Sequence, residues 1–269
     1  MANKKPKKSG KISNSDEKVR AETKSEKVVS AKVKGVTTTK TTKKVVKKKS
    51  STKQPKVIAS GISQPLYALF IYIAITAAVA GLSGAHLNPL ITAGMMASRR
   101  VSAIRGVLYI LGQILGAWFG LLIINGVRIV SGSEAELPAM AAIDGDGFWV
   151  TALIEMIGSF IFAFFFARAT VYKRSTLTYA IMIGVGYLFA SLIVIMISTN
   201  YYTLQNNFMM NPAVALMYQI IPTGADSFGQ LMGDLAIALC TYVALPMVGG
   251  VLGFYLSDFS QRMSGDPRK

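Results

Sequence analysis

The pattern of apolar and polar positions changes character near residue 57. Before it, lysine, serine, threonine and valine mix with no sustained apolar run and no aromatic residue. After it, long apolar stretches stand at about 64–82, 104–130, 148–170, 177–198 and 229–256. Each holds roughly 20 residues or more, which at about 1.5 Å per helical residue crosses a hydrocarbon core of about 30 Å. Few charges interrupt them: Arg128 and Arg168 near ends, Glu155 and Asp234 inside. The pattern predicts five transmembrane helices.

Two further apolar pieces are too short to cross. Asn88-Pro89-Leu90 opens the run Ile91–Ala97, and Asn211-Pro212-Ala213 opens Val214–Ile221. Proline suits the first helical turn, where its missing N–H is not needed. Each Asn-Pro therefore predicts the start of a helix of about ten residues, roughly 15 Å long. Such half-helices must lie within protein or line a cavity, because their first N–H groups are unsatisfied. A pair in corresponding places predicts an inverted repeat with a site at the membrane midplane.

Loop charges set a direction. Arg99, Arg100 and Arg105, then Lys173 and Arg174, then Arg262, Arg268 and Lys269 mark cytoplasmic sides, while Glu134, Glu136, Asp144, Asp146 and Asp226 mark outward ones. The two half-helices thus enter from opposite faces. The repeat is unequal, however. The second half's first span begins 63 residues before Asn211, and the same offset from Asn88 falls on residue 25, inside the lysine-rich segment. With one span before Asn88, the basic tail would lie outside, against the positive-inside rule. A shortened chain and a true five-span protein both fit.

Composition sharpens this picture. Mean hydropathy is +0.43. Residues 1–56 carry 19 of the 29 basic and 4 of the 13 acidic residues, a net charge of +15, whereas the remainder is close to neutral. The tail cannot bury enough apolar surface to offset its ordering entropy, and reads as disordered. It reads as a solvated tail with no specific partner, with adhesion of its charge to anionic lipid as the alternative. Without aromatics for base stacking it predicts no specific nucleic-acid partner. One cysteine, Cys240, and one histidine, His86, exclude a disulfide scaffold and most metal or triad chemistry. We find no phosphate loop, metal cluster or nucleophile–base pair, and expect neither an enzyme nor a cofactor.

The run from Ser83 through His86 to Asn88, Pro89 and Leu90 resembles the first signature of the major intrinsic proteins, the aquaporins and aquaglyceroporins, and Asn211-Pro212-Ala213 resembles the second. Arg99-Arg100 through Tyr109, Gln113, Gly116 and Ala117 is similar to the family's third helix, and Pro246, Gly249, Gly250 and Gly253 to its sixth. The likeness covers roughly 64–258 but finds no first family helix. Leu90 replaces the usual alanine, and Val214 the usual arginine. The resemblance implies an all-α, aquaporin-like inverted repeat with about five full helices and two half-helices. It implies a homotetramer in the cell (plasma) membrane.

The organisation expected is a disordered tail over 1–56, a channel domain over 57–258 and a short cytoplasmic tail over 259–269. The function expected is a passive channel for water or small uncharged solutes such as glycerol. A non-conducting remnant or scaffold is the alternative, and a secondary transporter a more distant one. Asn88 and Asn211 would cap their half-helices and offer amide donors at the pore centre. By family position Ala68, Phe208 and Val214 form the selectivity constriction, with Ser191 or Ile193 as a fourth member. Glu155 is implied to accept N–H bonds from the loop carrying Asn211, with Gln113 as further structural support. We read His86 as hydrogen-bonded to the backbone of its own loop, with a pH gate as the alternative. Asp234 reads as a partnered or end-of-span carboxylate, or a proton relay. Met209-Met210 and the run 160–166 read as packing. Gly112, Gly116 and Gly120 have a spacing that lets another helix approach closely.

Overall fold

The computed structural model describes residues 55–135, 147–172, 175–199, 208–218 and 226–265. The tail 1–54, the acidic positions Glu136, Asp144 and Asp146, the basic positions Lys173, Arg174, Arg268 and Lys269, and most of the connection before Phe208 lie outside the described residues. The described helices are α1 (Pro55–Ser83), α2 (Pro89–Ala97), α3 (Ala103–Val130), α4 (Gly147–Val171), α5 (Thr176–Thr199), α6 (Pro212–Tyr218), α7 (Phe228–Leu239) and α8 (Leu245–Met263). Five stretches are long and apolar enough to cross a membrane, the fifth running from Phe228 to Met263. The chain is an all-helical polytopic membrane protein.

That fifth span is interrupted. Cys240–Ala244 form one turn of π-helix between α7 and α8. Pro246 follows at once; it has no N–H to offer the carbonyl of Tyr242, and the wider turn accommodates the lost bond.

The helices pack unevenly. α4 lies along α8, α1 along α5, and α4 also against α5, while the half-helix α2 rests on α8. Phe162 and Phe166 from α4, Phe254 from α8, Ile183 from α5 and Leu90 and Ile91 from α2 fill the core between them. The α4–α8 contact is close because α8 is glycine there. A methyl group on Gly249 would sit 2.3 Å from the Met156 carbonyl oxygen, and one on Gly253 2.5 Å from that of Phe160. Gly250 faces the Leu90 carbonyl in the same way and brings α2 onto α8.

The second glycine row behaves differently from its reading as a helix-approach face. Among the described residues nothing lies within 4 Å of a methyl group placed on Gly112, Gly116 or Gly120. Along α3 only Gly106 and Leu121 are buried, and Leu108, Leu111, Leu115 and Phe119 are exposed. α3 touches chiefly the two half-helices α2 and α6.

At the end of α2 a polar knot joins three elements. Arg100 donates to the Ala167 carbonyl at 3.3 Å, to the Thr170 hydroxyl and to the Asp258 carboxylate, with its guanidinium 5.2 Å from the Phe254 ring centre. Arg100 is thus an anchor between α2, α4 and α8 as well as a marker of topology, and α8 continues to Met263, past the expected domain end at 258.

Candidate functional site

Each half-helix begins from a tight loop. Ala85 and Leu87 before α2, and Met210 before α6, have φ of 53°, 56° and 42°. This left-handed region is uncommon for residues with a Cβ, and its strain is held by the surrounding contacts. The conformation turns the following asparagine into the cap. Asn88 Oδ1 accepts from Leu90 N at 3.1 Å, and Asn211 Oδ1 accepts from Ala213 N at 3.1 Å. Pro89 and Pro212 occupy the first helical positions.

The two loops then lock together reciprocally. Asn88 Nδ2 donates to the Met210 carbonyl at 2.7 Å, and Asn211 Nδ2 donates to the Leu87 carbonyl at 3.3 Å. Two positive helix ends therefore meet within one buried spot. The Tyr72 phenol from α1 stands beside both carboxamides and packs on Phe162 and Tyr187, with ring centres 5.5 and 4.6 Å away.

Glu155 secures the second loop. It is fully buried on α4, and its two carboxylate oxygens accept from Met209 N at 2.6 Å and Met210 N at 2.9 Å. The Met209-Met210 pair, read as packing, is used through its backbone: Met210 also presents the carbonyl that receives Asn88. The first loop is secured otherwise. Tyr179 donates to the Gly84 carbonyl at 2.9 Å. His86 Nδ1 lies 3.2 Å from Thr92 Oγ1, and Gln113 Nε2 donates to that same hydroxyl at 3.0 Å. The expected backbone partner of His86 is replaced by a side chain, because Thr92 lies one turn into α2 on the face toward the loop.

A cavity of about 460 Å³ opens beside this spot. Asn211, Ala213 and Val214 line one wall, His86 and Leu87 another, and Tyr109, Gln113 and Gly116 of α3 a third. Asn88, Pro89 and Leu90 are buried and do not line it; nor do Ala68, half-buried on α1, and Phe208, which packs against the apolar core. Ser191 is buried and donates to the Tyr187 carbonyl at 2.8 Å, and Ile193 is half-buried. Asp234 is half-buried on α7. Among the described residues no cluster of His, Cys, Asp or Glu could hold a metal ion.

Sequence reasoning missed Tyr72 and Asp258. Neither carries a local signal: each acts across the fold, Asp258 on a partner 158 residues away.

Residues 30–257 match the family model of the major intrinsic proteins. The chain belongs to the major intrinsic protein family. The match begins within the lysine-rich segment. This major intrinsic protein is 37% identical over 112 residues to Probable aquaporin PIP2-6 of Oryza sativa subsp. japonica, covering 40% of this chain and 37% of the relative. It is 32% identical over 131 residues to Aquaporin PIP1-1 of the same organism, covering 47% and 43%. To Probable aquaporin PIP2-5 of Arabidopsis thaliana it is 32% identical over 107 residues, covering 40% and 36%. The matched part of the chain spans well under half the length of each of these curated relatives.

Proposed function

We propose that this major intrinsic protein is a passive channel for water or small uncharged solutes, with Asn88 and Asn211 at the centre of its pore. The observation that carries the reading is the reciprocal pairing of the two capping asparagines across the half-helix ends. The positive ends repel cations and orient a passing water through its oxygen, which breaks a proton chain. Val214, in the cavity wall three residues beyond Asn211, sets the permeant: valine adds neither the charge nor the five donors of an arginine. The constriction is correspondingly roomy and less polar, which suits a solute with an apolar edge such as glycerol. We place the C-terminus in the cytoplasm, the chain in the plasma membrane and the assembly as a homotetramer.

A coupled transporter is disfavoured because Glu155 is fully committed to the second loop, leaving Asp234 as the other intramembrane carboxylate. A non-conducting scaffold remains the second reading, and the bare face of α3 favours it. Stopped-flow shrinkage of proteoliposomes separates them. The channel reading expects water flux above that of lipid alone, and a loss of that flux or a new cation leak in Asn88→Asp and Asn211→Asp. Flux equal to lipid alone supports the scaffold. Conduction with unchanged rate and cation exclusion in both variants removes the asparagines from the pore centre.

A further inference from the structure

We propose that Tyr72 closes the pore centre: its phenol stands where a permeant would bind the paired asparagines, and conduction requires the ring to turn away. The inference rests on the channel reading above and begins from a conflict inside it. A donor at the centre of a conducting pore must be reachable by the permeant. Yet Asn88 is fully buried and Asn211 only 9% exposed.

The hydrogen bonds say what a permeant would meet. A carboxamide has one carbonyl oxygen and two N–H donors. Each oxygen is used in the cap, and each Nδ2 gives one bond to the opposite loop. One N–H remains on each asparagine. The phenol beside both of them is that of Tyr72, from α1. A phenol oxygen accepts hydrogen bonds as a water or an alcohol oxygen does. The group at this spot therefore resembles, in its polar atom, the solutes it excludes.

The ring also has somewhere to go. Tyr72 is half-buried, whereas Phe162 beneath it is fully buried. Its ring packs on two others, tilted 31° on Tyr187 and edge-on to Phe162. Thr76, one turn further along α1, and Ser159, between Glu155 and Phe162 on one face of α4, are buried hydroxyls without a partner among the described residues. Buried hydroxyls are ordinarily paired. Both can bind a solute admitted when the ring leaves, and neither lines the cavity beside α3.

The test uses the full chain in phosphatidylcholine vesicles. Tyr72→Phe keeps the ring and its packing but drops the oxygen that holds it shut. Water permeability per inserted protein should rise about two- to tenfold, the worth of one neutral hydrogen bond. Tyr72→Val, which removes the ring, should raise it at least as far. Unchanged or lower flux in both variants of a conducting chain would make Tyr72 a mere support for the asparagines, and overturns the proposal. A second readout is independent of conduction. In a Cys240→Ser background, Tyr72→Cys should react with a charged, water-soluble methanethiosulfonate reagent. Ile71→Cys, at a neighbouring position 56% exposed on the outside of α1, should not. An unreactive Tyr72→Cys chain, or equal reaction at both positions, also overturns the proposal. If Tyr72→Cys alone reacts and no chain conducts, the channel reading fails while the phenol still stands as the cover of a wettable site.

Discussion

The two halves of this molecule present nearly the same receiving surfaces and treat them differently. In the second half a glycine row on α8 is pressed against the α4 backbone, and α4 returns a carboxylate to the half-helix loop. In the first half the glycine row on α3 is bare among the described residues, and the equivalent loop is held by Tyr179 and by Thr92, to which Gln113 in turn donates. The lesson is that small-residue spacing states how closely a helix can approach, not that one has done so. A half-helix can be capped and paired with its mate while one of its flanks is open.

The comparison breaks most readily at the packed face. Gly253→Leu should lower stability by about 3 kcal/mol, because its side chain meets the Phe160 backbone with no flexible atom to yield. Gly116→Leu should change it by less than about 0.5 kcal/mol. Thermal unfolding in detergent measures both; equal effects would mean that the halves are packed alike.

The next effect is electrostatic. Glu155→Leu leaves two N–H groups without an acceptor, at about 1–3 kcal/mol each, and Glu155→Gln should recover about half by keeping one oxygen. Unfolding midpoints and retained monodispersity report this ordering. A leucine variant as stable as wild type would remove Glu155 from its loop-holding role. Smaller still is the knot at the end of α2. Arg100 and Asp258 are partly exposed, so Asp258→Asn should cost about 1 kcal/mol, with the salt dependence of a screened pair.

The mildest change sharpens selectivity without touching the frame. Val214→Arg fills part of the cavity wall beside Asn211. In a conducting chain it should lower glycerol flux severalfold more than water flux, measured in the same vesicles. Equal loss of both would take Val214 out of the constriction.

Much of this was legible because membrane and helix geometry act locally. Apolar length gave the five spans, and Asn-Pro gave both half-helix starts to the residue, since proline at the first turn and asparagine before it are backbone requirements. The π turn at Cys240–Ala244 was not legible: Pro246 signals a disturbance but not its form. The partners of Arg100, the position of Tyr72 beside both asparagines, and the bond of His86 to Thr92 depend on which helix faces which, and residue type alone does not encode that. Ala68 and Phe208 were assigned by family position. Neither is among the residues lining the cavity that Val214 lines, and which side chains face a cavity is set by helix rotation, which residue type does not encode.

The central claim is that, among the described residues, one loop is held by a carboxylate from a neighbouring span and its twin is not. Amide hydrogen exchange of the reconstituted chain tests this residue by residue. Hydrogen bonds to a charged acceptor are worth about 1.5–3 kcal/mol, so Met209 and Met210 should exchange about 10- to 100-fold more slowly than His86 and Leu87. The slow pair should also lose its protection in Glu155→Leu. Equal protection of the two loops in the wild-type chain, reconstituted alone, would contradict the account.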